Sequence, residues 1–316
     1  MSKKKLSIQQ KARIAQKHQS YSLDERHGLK EGRVITRSKN KALVESLDCS
    51  EQVLCAIRPD IESVVVGDKV LWQEEAVVEA VLPRSTVLSR PDRYGQIKLI
   101  AANISQMIIV IAPKPEPSDL LIDSYLVAAE LIGLKVSMVF NKLDIDEQKL
   151  HRKYKEDYQH LCHQFVTNQK NDPNLVGLQK LLQDEISIFV GQSGVGKSSL
   201  IQLLLPNVAT QIATSPLSVI HEFGQHTTSN AHYFHLPYLG AIIDSPGVRS
   251  FGLGKASKED VLWGFKEFRP FIGQCKFRDC NHITAPHCAI LSALKLDKIS
   301  EKRYENYVKM INQYSS

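Results

Sequence analysis

The sequence lacks any long apolar stretch. Its longest unbroken run, Met107 to Ala112, is six residues, far below the roughly 20 that a membrane-spanning helix needs. The start, Met1-Ser2-Lys3-Lys4-Lys5, has no apolar segment of the secretory type. A cytoplasmic location without a membrane partner is therefore expected. Cysteine is scarce, at six in 316 residues, which excludes a disulfide scaffold for a chain this long. Acid is missing from the beginning, where Lys3, Lys4, Lys5, Lys11, Arg13 and Lys17 precede the first carboxylate, Asp24. There is no internal repeat, and no low-complexity tract beyond that basic start. What remains is ordinary globular usage, 43% hydrophobic and 23% charged, enough for two or three domains at roughly 100–200 residues each. The formal net charge of +6 mildly favours an anionic partner.

Organisation follows from texture. Residues 1–29 read as a basic, solvated arm, able to order on an RNA phosphate backbone. From 30 to 85, Gly32–Thr36, Ala42–Leu47, Gln52–Ile57, Asp68–Trp72 and Ala76–Val81 read as short strands, several alternating at period two. Five such strands suggest a small barrel. An OB-fold leads, and an SH3-like barrel would give nearly the same pattern. Beyond Pro83 the strands Gln106–Ala112, Lys135–Phe140, Ile186–Val190 and Gly240–Ile243 are near-continuously apolar. They alternate with helical spacing, as over Leu120–Leu131, which implies a parallel α/β sheet over 86–254. Residues 255–316 hold a cysteine cluster and a helical segment, Lys298–Tyr314.

The strongest motif is Gly191-Gln192-Ser193-Gly194-Val195-Gly196-Lys197-Ser198, followed by Ser199. It lies between a strand and a helix expected over Ser198–Leu205. Its glycines let backbone N–H groups turn toward phosphates, and the helix N-terminus adds positive potential. Lys197 should reach the β- and γ-phosphates, and Ser198 should ligate Mg²⁺. Asn141-Lys142-Leu143-Asp144 ends another strand. An Asp144 carboxylate can accept from the ring N–H and the exocyclic amine of guanine, a donor pair that adenine lacks. Asn141 can bond the base edge and brace the phosphate loop. Asp244-Ser245-Pro246-Gly247 would place Asp244 on Mg²⁺ through water and the Gly247 N–H toward the γ-phosphate. In Gly224-Gln225-His226-Thr227-Thr228-Ser229, Thr227 or Thr228 would complete the Mg²⁺ shell, with Thr228 preferred.

The order of these motifs carries information. In Ras-type GTPases the phosphate loop comes first. Here Asn141 precedes Gly191 by 50 residues, so the usual ends must be joined and the chain opened between the Asp244 and Asn141 segments. Farther on, Cys275, Cys280, His282 and Cys288 offer three thiolates and an imidazole. That is the donor set of a closed structural Zn²⁺ site, one ion per chain. Cys49, Cys55 and Cys162 have no such company and read as small buried residues.

Taken together, the chain resembles the ribosome small subunit-dependent GTPase A family (RsgA/YjeQ) of circularly permuted bacterial GTPases. The resemblance rests on Lys4-Lys5-Leu6-Ser7, Leu88-Ser89-Arg90-Pro91, Ala101-Ala102-Asn103, the four nucleotide motifs, Val248-Arg249 and the Cys275/Cys280/His282/Cys288 quartet. It implies an N-terminal OB-fold, a circularly permuted P-loop GTPase domain and a C-terminal, mainly helical zinc domain. It also implies GTP and GDP as ligands, contacts with rRNA of the small (30S) subunit, and a role in that subunit's late maturation, with hydrolysis stimulated by the subunit. A monomer is expected. Val248 stands where Ras-type enzymes carry a water-orienting glutamine, so the free protein should hydrolyse GTP slowly. His226 is the candidate to position water once the subunit orders its loop. Lys197 and Gly247 are the other catalytic candidates. Two other readings differ in what turnover does. In one, an rRNA-binding assembly factor uses GTP only to set its affinity. In the other, a kinase-like enzyme acts on a small molecule without needing a partner.

Overall fold

The structure is a computed structural model that describes residues 28–61, 63–91, 96–145, 149–168, 173–205, 231–237, 240–244 and 256–313. Strands β1 (Lys30–Ser38), β2 (Lys41–Ser46), β3 (Gln52–Ile57), β4 (Lys69–Gln73) and β5 (Val77–Val81) run in the order β1-β2-β3-β5-β4. Pairing of Lys30–Arg33 with Trp72–Lys69 returns β4 to β1, and the sheet closes into a five-stranded barrel. Val34, Val44, Cys55, Val70, Trp72 and Val78 fill it, the inward half of each alternating strand. All five expected strands are present, with shifts of one or two residues at several ends.

A hairpin of β6 (Val87–Pro91) and β7 (Ile97–Ala102) follows; the sequence reading had no strands here. Asn103 ties this hairpin to the barrel. Its Oδ1 accepts from the Ser85 N–H at 2.9 Å and its Nδ2 donates to the Gly67 carbonyl at 2.9 Å.

The second sheet joins β8 (Gln106–Ile111), β9 (Lys135–Phe140), β10 (Gln164–Thr167), β11 (Ile186–Val190), β12 (His232–His235) and β13 (Ala241–Asp244) in the order β10-β9-β8-β11-β13-β12. All neighbours are parallel except the antiparallel β12–β13 pair. Every residue of β8 is buried, as a central parallel strand covered on both faces requires. Among the described residues the helices are α1 (Asp119–Ile132), α2 (Lys149–Tyr158), α3 (Leu175–Leu182), α4 (Lys197–Leu204), α5 (Lys258–Gly264), α6 (Ala289–Lys295) and α7 (Glu301–Gln313). Helix α1 starts where the Ser118 side chain accepts from the Leu121 N–H and stops at Gly133, in the left-handed region. One face of the sheet is covered by α1, α2 and the C-terminal helices, the other by α3 and α4.

The barrel and the parallel sheet are continuous. Thr36 of β1 pairs with His232 of β12, and the Thr36 hydroxyl donates to the Ala231 carbonyl at 3.1 Å. Arg33 donates to the Tyr233 hydroxyl and lies over its ring. The C-terminal helices grip α1 through Asp119–Lys302, Asp123–Arg303 and Glu130 with Lys266 and Arg269. No described helix is long and apolar enough to cross a membrane. One expectation needs correction: Cys55 and Cys162 are buried, but Cys49 is exposed, because it sits in the turn between β2 and β3.

Candidate functional site: a nucleotide cradle and a cysteine cluster

The phosphate-loop strand β11 lies between β8 and β13, with β9 beyond β8. Parallel strands bring their C-terminal ends to one edge, where ligands of open α/β sheets bind. Residues 141–144 and 191–198 therefore meet there, although their order in the chain is reversed. The junction is direct: Asn141 Nδ2 donates to the Val195 carbonyl at 2.9 Å. Lys142 Nζ donates to the Gly194 carbonyl at 2.6 Å and to that of Lys114 at 3.3 Å. Lys197 Nζ is folded into the loop, donating to the carbonyls of Gly191 at 2.7 Å and Gln192 at 2.6 Å.

The glycines are set by contact as well as by turn. Gly196 has φ +99°, and a Cβ there would meet Asn141 Nδ2 at 2.3 Å. Gly191 has φ +139°, and its Cβ would meet the Val110 carbonyl oxygen at 2.4 Å. Side chains are excluded at both positions on two grounds. Helix α4 begins at Lys197, one residue before the expected start, and its N-cap Gly196 supplies no side-chain acceptor. A helix start of this kind offers its first N–H groups to an anionic ligand. Ser193, Gly194, Ser198, Ser199 and Asp144 are exposed, whereas Asn141, Val195 and Lys197 are buried. Asp244 ends β13, three strands from Asn141 across the same edge. The candidates Thr227, Thr228, His226 and Gly247 lie outside the described residues.

Two contacts act here that sequence reasoning did not foresee. Asn168, just past β10, donates from Nδ2 to Asn141 Oδ1 at 2.8 Å and accepts the Asn174 N–H at 3.1 Å. Its own N–H donates to the Phe140 carbonyl at 2.7 Å. Asn141 is thereby fixed on both sides, from Val195 and from Asn168. The signal available in the sequence was a polar residue directly after an apolar strand. The second is made by Gln192, read from the sequence only as a phosphate-loop residue: its Oε1 accepts the Ser118 N–H at 3.1 Å. This bond ties the phosphate loop to the start of α1, the helix gripped by the C-terminal region.

Cys275, Cys280, His282 and Cys288 place one donor atom each within 4.8 Å of one another. His282 Nδ1 is 3.5 Å from the Sγ atoms of Cys275 and Cys288, which are 3.9 Å apart. Tetrahedral bonds of about 2.3 Å to sulfur and about 2.0 Å to nitrogen give edges of about 3.8 and 3.5 Å. The donor set and its spacing fit a structural zinc ion. The Tyr304 hydroxyl of α7 donates to the His282 carbonyl at 2.9 Å, which couples the cluster to the helix that holds α1.

Comparison with known proteins agrees with this architecture. The RsgA GTPase family model matches residues 81–254. A small ribosomal subunit biogenesis GTPase of Vibrio parahaemolyticus is 41% identical over 96% of this chain and 89% of its own length. One of Saccharophagus degradans is 40% identical over 98% and 97%. The crystal structure of YjeQ from Thermotoga maritima superposes with a TM-score of 0.74 at 32% identity, covering 90% of this chain and 98% of that one. YloQ, a circularly permuted GTPase, gives 0.70 at 25% identity, covering 93% and 97%. A permuted strand order that still unites both nucleotide motifs, and likeness along nearly the full length, lead to one conclusion: the chain belongs to the RsgA GTPase family and is a GTP hydrolase.

Proposed function

We propose that this GTPase acts in biogenesis of the small ribosomal subunit, binding the subunit in its GTP form and leaving after hydrolysis. The observation that carries the reading is the Asn141–Val195 hydrogen bond. It makes the base-selecting segment and the phosphate cradle one rigid unit, which is what selective GTP binding needs.

In this reading Asp144 accepts from guanine and Asn141 holds the base edge. Lys142 braces the loop beneath. The loop N–H groups from Gly191 to Ser199 and the N-terminus of α4 surround the phosphates. Lys197 leaves its two carbonyls to pair with the β- and γ-phosphates. Ser198, Thr228 and, through water, Asp244 would hold Mg²⁺, which neutralises charge on the β- and γ-oxygens when bound. Gly247 would donate its N–H to the γ-phosphate, and His226 would orient the attacking water once the subunit orders its loop. Cys275, Cys280, His282 and Cys288 would hold Zn²⁺, which supplies cross-linking to a region with a small core.

The barrel's order, β1-β2-β3-β5-β4 and back to β1, supports an OB-fold over an SH3-like barrel. Together with the basic arm it is the proposed rRNA contact. The working division is an arm over 1–29, barrel over 30–85, GTPase domain over 86–254 and zinc domain over 255–316, in a cytoplasmic monomer. The test is GTP turnover with and without purified small subunits. Strong stimulation is expected, since completing such a site in trans can be worth about 10⁵-fold. Fast turnover without subunits would instead favour a self-sufficient enzyme. Subunit binding that depends on GTP without any stimulation would favour an affinity switch.

A further inference from the structure

Where the barrel meets the GTPase sheet, a second group of metal-ligating side chains converges, and neither the nucleotide site nor the Cys275 cluster uses it. Glu45 comes from β2, Cys49 from the turn before β3, and His235 from the end of β12. Their donor atoms all lie within 4.8 Å of one another. We infer that Glu45, Cys49 and His235 form a second transition-metal site, suited to Zn²⁺, that fastens the barrel to strand β12.

The geometry is close to what three such donors need. Cys49 Sγ is 3.7 Å from Glu45 Oε2, against about 3.6 Å for a thiolate and a carboxylate oxygen on one tetrahedral zinc. Glu45 Oε2 and His235 Nε2 are 2.5 Å apart, and a shared ion would separate them to about 3.3 Å. The side chain that must give is His235, which is 43% exposed, while that of Glu45 is 7% exposed. The imidazole can swing outward without disturbing the barrel. Around the carboxylate there is outer support of the kind that orients metal ligands: Gln52 Nε2 donates to Glu45 Oε1 at 2.8 Å, leaving Oε2 to face the other two donors.

The thiol is placed by an unusual backbone. Cys49 has φ +59°, where turns ordinarily use glycine or asparagine. Its N–H donates to the Ser46 carbonyl at 2.9 Å, and this turn directs Sγ back at Glu45. The imidazole arrives by strand alternation. Tyr233 and His235, two residues apart, share the face of β12 that meets β1 and β2, where Arg33 is engaged with the Tyr233 ring and hydroxyl. One carboxylate, one thiolate and one imidazole make a mixed donor set that favours zinc-like ions over Mg²⁺ or Ca²⁺. With three protein ligands, a fourth position stays open to water or a partner.

The experiment compares the Zn²⁺ content of the full-length protein with that of Cys49→Ser and His235→Asn, after equilibrium dialysis against buffered Zn²⁺. All three proteins share the Cys275 cluster, so the difference between them is independent of what that cluster holds. Each variant is expected to bind one equivalent fewer than the unaltered protein. Loading with Co²⁺ should show the same loss, as one thiolate charge-transfer band missing from Cys49→Ser. Both positions are at the surface, and retained GTP binding certifies the fold of each variant. Equal zinc content in the unaltered protein and in either variant overturns the assignment.

Discussion

Replacing Arg303 by leucine should release the C-terminal helices from α1. Arg303 is 5% exposed and Asp123 is fully buried. Arg303 donates to Asp123 at 2.5 Å and, through Nε, to Glu267 at 2.6 Å. Removing one member of a buried pair costs about 3–5 kcal/mol, chiefly because the remaining charge is left without compensation. Here two carboxylates would be stranded. Asp123 keeps only neutral donors, the Tyr158 hydroxyl at 2.9 Å and Asn306 Nδ2 at 2.7 Å. A loss of that size corresponds to roughly 10²–10⁴-fold faster hydrogen exchange for the amides of α7 whose exchange requires undocking from α1. Amides of the barrel, which shares no part of this network, should exchange at their original rates.

The pH dependence gives an internal check. Burial pushes the Asp123 carboxyl above its ordinary range, opposed by Arg303, Asn306 and Tyr158. Without Arg303 the main opposition is gone and the shift grows. An acid whose folded-state pKa is raised takes up a proton more readily when folded. The folded form therefore gains relative to the unfolded as pH falls through that pKa. The exchange defect of Arg303→Leu should be larger at pH 8 than at pH 5. Adding Asp123→Asn should restore part of the protection at pH 8. A defect that is equal at both pH values, or spread equally over barrel and α7, would refute the reasoning.

Three further outcomes follow from the cradle and the cluster. Gly196→Ala combines a left-handed backbone with a Cβ 2.3 Å from Asn141 Nδ2; calorimetry should show GTP affinity reduced at least 100-fold, about 3 kcal/mol, from strain plus a lost hydrogen bond. Asn168→Ala removes the donor to Asn141 Oδ1; a loss of about 1–2 kcal/mol should appear as a roughly tenfold weaker preference for GTP over ATP in competition binding, with phosphate contacts intact. Stripping metal with a strong chelator should make residues 275–288 susceptible to protease well before α7, whose Tyr307, Met310 and Ile311 stay in the main core.

Much of this was legible in the sequence because it is local. Period-two alternation located the barrel strands, unbroken apolar runs located β8, β9 and β11, and the phosphate loop and cysteine quartet are contiguous or nearly so. The tie from Gln192 to Ser118 was not legible, since it joins positions 74 apart and the phosphate-loop pattern that contains Gln192 says nothing of a partner outside the loop. Asn168 was passed over because its partner, Asn141, lies on a neighbouring strand, and pairing between distant strands leaves no trace in a window of ten residues. Short β12 escaped for the same reason. His232 to His235 carry two aromatic rings and two imidazoles, and only their pairing with β13 and β1 makes them a strand. The C-terminal grip on α1 is likewise written in single charges spaced along 180 residues of chain.

The permuted strand order has a further consequence for how such a machine can be assembled. When a nucleotide-binding sheet is entered at β8 and left at β13, the chain comes in at Gln106 on the edge away from the ligand and goes out past Asp244 on the ligand edge itself. A module spliced onto the exit becomes a neighbour of the cradle without any strand being cut. The barrel, whose own link enters at the far edge, is brought back by β1: Thr36 faces His232, which in turn faces Asp244, so a module joined at the opposite pole still borders the ligand edge.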